Sequence, residues 1–297
     1  VKDINSGSSG STPAQLTAVG NTLYFSANDG TNGIELWKSD GTASGTMMVK
    51  DINSGSSNAG VRSSSPNYLT AVGNTLYFQA LDVTNGQELW KSDGTESGTV
   101  LVRDINSGSG NSAPDHLTAF GNTLYFSAYG AGGIELWKTD GTSTGTVMVK
   151  DINSGSYSSY PSELAVIGNI FFFRAHDGTN GYELWKSDGT SSGTVMVKDI
   201  ISGIGSSSPN HLTAVGNTLY FRATDGTNGI ELWKSDGTSS GTVMVKDIRS
   251  GSSSSSPTWL TAVGNTLYFQ ANDGTNGVEL WKSDGTSSGT VMVKDIR

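Results

Sequence analysis

The chain contains no cysteine among its 297 residues. That absence excludes a disulfide scaffold, a thiolate metal site and a cysteine nucleophile. Basic residues are also scarce, since 18 lysines and arginines face 27 acidic residues and leave a formal net charge of −9. Because phosphate binding requires a basic surface, this charge argues against a nucleic-acid partner.

Long apolar runs are missing as well. The longest apolar stretch, near residues 164–173, is interrupted by Gly168 and Asn169. No segment is therefore predicted to insert into a bilayer. Residues 1–10 lack the basic start and the apolar run of a signal peptide. The chain starts without methionine and within a repeated pattern, so we expect a mature piece or an excised fragment.

What the sequence does contain is an internal repeat. The string ELW occurs six times, and its successive tryptophans are 53, 47, 48, 48 and 48 residues apart. A fixed period near 48 residues is typical of repeat architectures, in which each unit buries its faces against its neighbours. The six tryptophans are Trp37, Trp90, Trp137, Trp185, Trp233 and Trp281.

Each repeat consists of four short apolar runs separated by polar turns. In the first repeat the runs are 16–19, 22–27, 34–38 and 47–52. Runs of this length, bounded by Gly, Asn and Asp, are typical of strands joined by hairpins. Four antiparallel strands in each of six repeats predict an all-β fold, a six-bladed β-propeller. We expect one domain over residues 1–297, with blades near 13–52, 66–105, 114–152, 161–200, 209–248 and 257–296.

The repeat also carries a family resemblance. ELWKSDGT followed by GTVMVKDI resembles the ELWxxDGT repeat of bacterial β-propeller-like surface and secreted proteins, and the likeness covers all six repeats. The strand order is similar to that of kelch-type propellers, with the first strand innermost. The resemblance implies a propeller that is secreted or at the cell surface, and it implies no established activity.

Acidic residues recur at fixed places in the repeats, represented in the first by Asp29, Glu35, Asp40 and Asp51. A catalytic carboxylate pair is needed only once, so we interpret these residues as structural. Asp40 is expected to bond the amides of its own turn, and Glu35 and Asp51 are expected to pair with lysine or backbone groups. The segment from Asp29 to Glu35 supplies oxygens at a spacing compatible with calcium. We predict no cofactor and keep calcium as an alternative.

The places where the repeats differ indicate a binding surface. The turns Gly20-Asn21 and Asp40-Gly41-Thr42 recur in all six repeats, whereas four other places vary. In an up-and-down blade those four places share one edge, here called the top edge. Binding residues concentrate on loops held by a rigid scaffold, so we predict that the top edge binds the ligand. The candidates are Gln15, Tyr68, His116, Glu163, His211 and Trp259 in first strands, Arg174 and Arg222 at the ends of second strands, Tyr129 and His176 two residues later, and Tyr182 at the start of a third strand.

Aromatic and arginine side chains at such positions suit sugars or proteins. We therefore favour a non-catalytic, lectin-like binding module for a glycan or protein ligand, acting as a monomer. Two alternatives stay open. The near-identity of the last two repeats fits a structural scaffold, recently amplified or built from a consensus, without a ligand. His116, Glu163 and His211 occupy equivalent first-strand places and suggest a metal-dependent hydrolase with an open zinc position.

The two ends of the chain carry copies of one string. Lys/Arg-Asp-Ile occurs seven times, once more than ELW. The complete copy, residues 290–296, is predicted to form the outer strand of the last blade. Residues 1–4 are then expected to lie outside it, frayed or paired with its edge or with a neighbouring molecule.

Overall fold

The computed structural model describes residues 1–54, 56–57 and 60–295. Within these residues, 24 strands form six four-stranded antiparallel sheets, two more strands form a small hairpin, and no helix is present. The predicted all-β fold with four antiparallel strands in each repeat is confirmed. No helix in this part of the chain is long and apolar enough to cross a membrane.

The first three sheets and the small hairpin come from the first half of the chain. Sheet 1 contains β1 (Ala14–Val19), β2 (Thr22–Asn28), β3 (Ile34–Ser39) and β4 (Met47–Lys50). The hairpin is β5 (Ser56–Ser57) and β6 (Gly60–Val61). Sheet 2 contains β7 (Asn67–Val72), β8 (Thr75–Asp82), β9 (Gly86–Ser92) and β10 (Val100–Arg103). Sheet 3 contains β11 (Asp115–Phe120), β12 (Thr123–Gly130), β13 (Gly133–Thr139) and β14 (Val147–Lys150).

The other three sheets follow the same plan. Sheet 4 contains β15 (Ser162–Ile167), β16 (Ile170–His176), β17 (Tyr182–Ser187) and β18 (Val195–Lys198). Sheet 5 contains β19 (Asn210–Val215), β20 (Thr218–Thr224), β21 (Ile230–Ser235) and β22 (Val243–Lys246). Sheet 6 contains β23 (Thr258–Val263), β24 (Thr266–Asn272), β25 (Val278–Ser283) and β26 (Val291–Lys294).

The strands of a sheet are joined by hairpins that the turn residues dictate. Val19 pairs with Thr22 across the turn between β1 and β2. Gly20 in that turn has a φ of 57°, the left-handed backbone that a two-residue hairpin requires and that glycine adopts freely. Each sheet keeps its strands in sequence order, so the first and fourth strands are its two edges.

The chain divides into two compact units, Val1–Met148 and Val149–Arg297. In the first unit β1 packs against β7, and β7 against β11; in the second, β15 packs against β19, and β19 against β23. Consecutive sheets within a unit share their core. Leu36 of sheet 1, for example, belongs to one buried cluster with Leu76 and Phe78 of sheet 2.

Buried glutamates fasten the linkers between sheets. Glu35 is fully buried, and its carboxylate accepts hydrogen bonds from the Ile52 N–H at 3.0 Å and the Ser64 N–H at 2.7 Å. The Ser64 hydroxyl donates to it as well, at 2.5 Å. Because Ile52 and Ser64 lie at opposite ends of one linker, the carboxylate ties both ends to β3. The expected structural role of this glutamate, with backbone partners, is confirmed.

The repeated aspartates fulfil their expected roles less uniformly. Asp40 accepts the Thr42 N–H at 2.9 Å and its hydroxyl at 2.7 Å, and these bonds hold its pKa below the usual value. Asp104, the equivalent of Asp51, accepts the Gly108 N–H at 2.9 Å. Within the described residues the other oxygen of Asp104 and Oδ1 of Asp51 are buried without a hydrogen-bond partner. Asp104 therefore pairs with a backbone N–H through only one of its two carboxylate oxygens.

The two ends of the chain behave differently from each other. In sheet 6, Met292 of β26 pairs with Trp281 of β25, which confirms the predicted outer strand as far as the described residues extend; Ile296 lies outside them. The expectation of a frayed or edge-paired N-terminal segment is wrong. Lys2 donates to the Thr46 carbonyl at 3.0 Å, and Ile4 packs against a buried cluster of sheet 1.

Candidate functional site

Every first strand has an irregularity at its candidate binding residue. The pairing of β1 with β2 shifts register between Ala14 and Thr17, and the same shift recurs in β7, β11, β15, β19 and β23. Inside each bulge one residue has a left-handed backbone. The φ values are 57° for Gln15, 54° for Tyr68, 53° for His116, 60° for Glu163, 57° for His211 and 57° for Trp259.

None of these six bulge residues is glycine, although glycine is the residue that a left-handed backbone favours. Such strain persists only where the surrounding structure imposes it, and it is concentrated at functional sites. The bulges therefore hold six side chains of five residue types in one local conformation, at the top edge of each sheet. The sequence singled out the positions through their variability and gave no sign of the strain.

In the first unit the bulges bring an acidic residue between two candidates. The Asp115 carboxylate lies 3.9 Å from Nε2 of His116 and accepts its backbone N–H at 2.5 Å. Burial, followed by the charge and a hydrogen bond of Asp115, raises the pKa of Tyr68. Tyr68 and His116 thus meet at Asp115, a residue that the sequence comparison of the repeats did not select.

In the second unit the candidates Glu163 and His211 lie together. The His211 N–H donates to Oε2 of Glu163 at 2.8 Å. Burial, reinforced by the charge of Arg222 and opposed by that of Glu163, lowers the pKa of the His211 imidazole. Trp259, by contrast, is 77 % exposed and presents its indole to solvent.

The second unit also contains an open cleft at the top edge of sheet 4. One part has a volume of about 300 Å³ and is lined by Asn153, Tyr157, Ser158, Tyr160, His176 and Tyr182. An adjoining part of about 470 Å³ is lined by Asn153, Ser154, Tyr157, His176, Asp177, Gly178 and Thr179. These two parts are called the tyrosine cleft below.

The wall of the tyrosine cleft is held in place by polar contacts. The ring of His176 lies 5.2 Å from that of Tyr182, and the Arg174 guanidinium lies 5.3 Å from the same tyrosine ring. Arg174 also donates to the Ser162 hydroxyl at 3.1 Å. Nδ1 of His176 accepts the Gly178 N–H at 2.9 Å, so the neutral imidazole carries its proton on Nε2. The contacts with His176 and Arg174 therefore hold the ring of Tyr182 in place.

The other two tyrosines of the cleft are exposed, Tyr157 at 71 % and Tyr160 at 49 %. Both lie in the linker before sheet 4, and the sequence comparison missed them because it treated the linkers only as variable. A signal was present: the equivalent linker places in the fifth and sixth repeats hold glycine or serine. They are Gly205 and Ser208 before sheet 5, and Ser253 and Ser256 before sheet 6.

The remaining candidates do not line the cleft. Tyr129 is 46 % exposed and its N–H donates to the Ser112 carbonyl at 2.8 Å. Gln15 is exposed in its bulge. Arg222 stands opposite Asn210 in the β19–β20 pairing.

The aspartate loops are closed by hydrogen bonds to their own carboxylates. Oδ1 of Asp29 accepts the N–H groups of Thr31 and Asn32 at 2.8 and 2.7 Å, and Oδ2 accepts the Asn32 amide at 2.7 Å. Both oxygens of Asp29 thus have N–H partners within the loop. Over residues 1–54, 56–57 and 60–295 no three His, Asp or Glu side chains are grouped to hold a metal ion. The zinc hydrolase alternative built on His116, Glu163 and His211 combines residues of both units and stays a hypothesis.

The six four-stranded antiparallel sheets are consistent with a six-bladed β-propeller. No family model matches the chain, and no curated protein matches it. Several solved structures do match the chain. The chain is similar to a structure from a study of two prolyl endopeptidases, with 13 % identity and a TM-score of 0.52 over 95 % of this chain and 41 % of that one.

Two further structures give the same result. Puromycin hydrolase matches with 11 % identity and a TM-score of 0.51 over 98 % of this chain and 55 % of its own. Prolyl oligopeptidase B from Galerina marginata matches with 11 % identity and a TM-score of 0.54 over 95 % and 43 %. The chain spans about half the length of these proteins. They are propeller-domain proteins, and at such identities the likeness shows the β-propeller fold alone.

Proposed function

We propose that this protein is a non-catalytic, six-bladed propeller that binds a neutral glycan in the tyrosine cleft. The other top-edge residues, Tyr129 among them, lie outside this cleft and are proposed as sites for further ligands. In line with the resemblance of its repeats, we place the protein outside the cell, secreted or at the surface.

The observation that carries the proposal is a convergence of unusual residues on one place. Tyr157, Tyr160 and Tyr182 replace the serine, glycine, isoleucine or valine of the fifth and sixth repeats, and all three line the same cleft. Exposed aromatic residues elsewhere lie one to a sheet: Tyr68, Tyr129 and Trp259 on sheets 2, 3 and 6. Three tyrosines in one cleft are the denser arrangement that selection for a ligand favours.

The chemistry of the cleft lining points to a sugar. Aromatic faces pack against the C–H faces of a pyranose ring, while tyrosine hydroxyls, the Asn153 amide and the His176 imidazole offer donors and acceptors for its hydroxyls. The smaller part of the cleft is lined by tyrosine, serine, asparagine and histidine, without a carboxylate or an ammonium group. That composition suits a neutral glycan better than an acidic one.

A glycan array probed with the intact chain identifies the ligand, and titration calorimetry then measures its Kd. Tyr157→Ala and Tyr182→Ala are each expected to weaken binding by at least about tenfold, as loss of a central aromatic contact does. Tyr129→Ala is the matched control, because it removes an exposed tyrosine that lies outside the cleft, and its Kd should equal that of the parent.

Two results would overturn the proposal. One is an array without any bound glycan. The other is a glycan whose Kd is unchanged by both cleft substitutions or is changed equally by Tyr129→Ala. Because Tyr157 is mostly exposed, its substitution should leave the melting temperature unchanged, so a loss of binding cannot be ascribed to unfolding.

A structural scaffold without a ligand is the second candidate. The fifth and sixth repeats are nearly identical, as expected after recent amplification or in a consensus-built array. A silent glycan array together with a cooperative, stable fold would favour this candidate.

A further inference from the structure

The imidazole of His176 holds the loop that forms one wall of the tyrosine cleft. Its Nδ1 accepts the Gly178 N–H at 2.9 Å, and residues 177–179 line the larger part of the cleft together with it. Across the sheet His176 pairs with Tyr182, and the centres of the two rings are 5.2 Å apart. One side chain therefore connects the loop wall of the cleft to its aromatic wall.

Three other sheets make the same loop bond with side chains that do not titrate near neutral pH. The bonds run from Gly30 to Asn28 at 2.7 Å, from Gly226 to Thr224 at 3.0 Å and from Gly274 to Asn272 at 2.7 Å. Histidine, by contrast, is the side chain that changes its charge between about pH 5 and 8. Sheet 4 therefore has an ionisable acceptor where sheets 1, 5 and 6 have a permanently neutral one.

Protonation of the imidazole removes this bond. A neutral imidazole accepts a hydrogen bond at the nitrogen that lacks a proton, whereas an imidazolium carries protons on both nitrogens and only donates. In the charged form, the Nδ1–H of His176 would face the Gly178 N–H, and two donors repel each other. Either the ring or the loop then has to move.

The loop is fixed from its other side. A Cβ added to Gly178 would lie 2.5 Å from Oδ1 of Asn153, so the glycine packs directly against that side chain. The Asp177 carboxylate accepts the N–H groups of Thr179 and Asn180 at 2.9 and 2.7 Å, which closes the loop on itself. The charged imidazole therefore has to leave its place, and its contact with Tyr182 is lost with it.

The charged neighbours of His176 act on the same equilibrium. Arg174, on the same strand, has its guanidinium 5.3 Å from the Tyr182 ring, so it disfavours a second positive charge beside that ring. Asp177, in the loop, attracts a positive charge on His176. Together they favour an imidazolium that has turned away from the tyrosine.

Two further elements face the cleft. The linker before sheet 4 contributes the hydroxyl groups of Tyr157 and Tyr160. On β17, burial raises the pKa of Glu183 to about 7, but its carboxylate accepts the Ser207 N–H of the following linker at 2.8 Å. Because this glutamate also titrates near neutral pH, a test of His176 has to separate the two groups.

We propose that His176 is a pH switch of the tyrosine cleft. The neutral imidazole keeps the loop wall and the aromatic wall in their binding arrangement, and protonation disrupts it, so glycan binding is lost on acidification. This inference rests on the proposed function for its ligand and adds the regulation of the same site. A glycan bound at neutral pH would be released in a medium near pH 5.5.

Nuclear magnetic resonance of the intact chain tests the switch without any glycan. The amide resonance of Gly178 should shift between about pH 7.5 and 5.5, as its acceptor is protonated. Gly226 and Gly274 are internal controls, because their loops contain the same bond to a side chain that does not titrate. Burial also raises the pKa of Glu231, the equivalent of Glu183 in sheet 5, so the Gly226 resonance shows what glutamate titration alone does to such a loop.

His176→Asn is the matched variant, since it installs the acceptor that sheets 1 and 6 use. In this variant the Gly178 resonance should shift no more than that of Gly226. A glycan array at pH 7.5 and 5.5 then measures binding. The parent should bind about tenfold more weakly at the lower pH, because a histidine is mostly protonated there and apparent affinity falls with the competent fraction. The variant should bind equally at both pH values, whatever its absolute affinity.

Two results would overturn the proposal. One is a Gly178 resonance in the parent that moves no more than those of Gly226 and Gly274. The other is a loss of array binding at pH 5.5 that persists in His176→Asn. An array that is silent at both pH values overturns the proposed function instead, and the Gly178 resonance then decides by itself whether His176 switches the wall.

Discussion

The ELW tryptophans show what a single residue contributes to this fold. Trp137 is 8 % exposed and belongs to a buried cluster with Leu124 and Phe126. Its ring lies so close to Gly130 that a Cβ added there would come within 2.9 Å of it. A side chain this large and this closely packed leaves a cavity when it is truncated, and the neighbouring strands are too regular to collapse into it.

Trp137→Ala is accordingly expected to lower the free energy of unfolding by about 3–5 kcal/mol. Urea denaturation monitored by circular dichroism measures it. Trp259→Ala provides a matched control, since it removes the same ring from a site that is 77 % exposed, and it should cost little. A loss below about 1 kcal/mol for Trp137→Ala would contradict the packing between the sheets.

The linker glutamates make stability depend on pH. Burial outweighs their three donors and raises the pKa of Glu35 and Glu183 to about 7. The folded protein therefore binds more protons than the unfolded chain between the ordinary glutamate pKa and pH 7, so the free energy of unfolding should fall as pH rises through this window. Below it, protonation of turn aspartates such as Asp40, whose pKa is lowered, acts in the opposite direction.

Chemical denaturation at a series of pH values from 4 to 8 tests this dependence. Glu183→Gln removes one titrating group, so it should flatten the slope between about pH 4.5 and 7 whatever its effect on absolute stability. An unchanged slope in this variant would show that Glu183 titrates normally in the folded protein.

At the scale of elements, the first-strand bulges are the feature that local rules describe least well. Glycine relieves a left-handed backbone, so Trp259→Gly should be more stable than Trp259→Ala, by about 0.5–1 kcal/mol. Thr261 in the same strand has no positive φ. At this residue the order should reverse, so that the glycine variant is less stable than the alanine variant. Thermal unfolding compares the alanine and glycine variants at both residues. If alanine were the more stable substitution at Trp259 as well as at Thr261, the bulge would carry no strain.

The terminal strands are a second test at this scale. Deleting residues 290–297 removes β26 and its pairing with β25, and it should lower the melting temperature clearly. Deleting residues 1–4 removes one lysine bond and the contacts of Ile4, and it should lower the melting temperature less. The reverse ranking would mean that the N-terminal copy matters more to the fold.

The strands could be predicted because their causes are local. Apolar runs, Gly20-Asn21 turns and the 48-residue spacing fix four strands in each repeat without reference to distant parts of the chain. The cleft could be predicted only in part. Arg174, His176 and Tyr182 lie on strands whose register follows from the repeat, whereas Tyr157 and Tyr160 reach the cleft through a linker whose path the strand pattern does not specify.

Other features could not be predicted from the sequence because they depend on which neighbours a repeat has. The exposure of Leu16 and Leu280 has no counterpart in the repeat pattern, since their own strings are nearly the same as those of Leu69 and Leu232. The place of residues 1–4 on sheet 1 likewise depends on the contacts of Lys2 and Ile4, which the repeat pattern does not specify. Identical residues differ here because their neighbours differ.

For the whole molecule, the repeat makes stability a sum of sheet energies and sheet-to-sheet contacts. Within each unit the middle sheet has two such contacts, since β7 packs against β1 and β11, and β19 packs against β15 and β23. Sheets 2 and 5 are therefore expected to exchange their amide hydrogens more slowly than the other sheets of their units, and hydrogen exchange monitored by mass spectrometry resolves them. Uniform protection across all sheets would contradict this dependence on neighbours.

The buried glutamates also determine how the chain responds to tension. Four of them, Glu35, Glu88, Glu183 and Glu231, each tie both ends of the following linker to their own sheet, so a pulled sheet holds until this tie and its strand ladder break together. Stretched between its two ends, the molecule should yield in discrete rips. Each rip should release about 48 residues, a gain in contour length of roughly 160 Å, which makes the repeat period readable as a mechanical step.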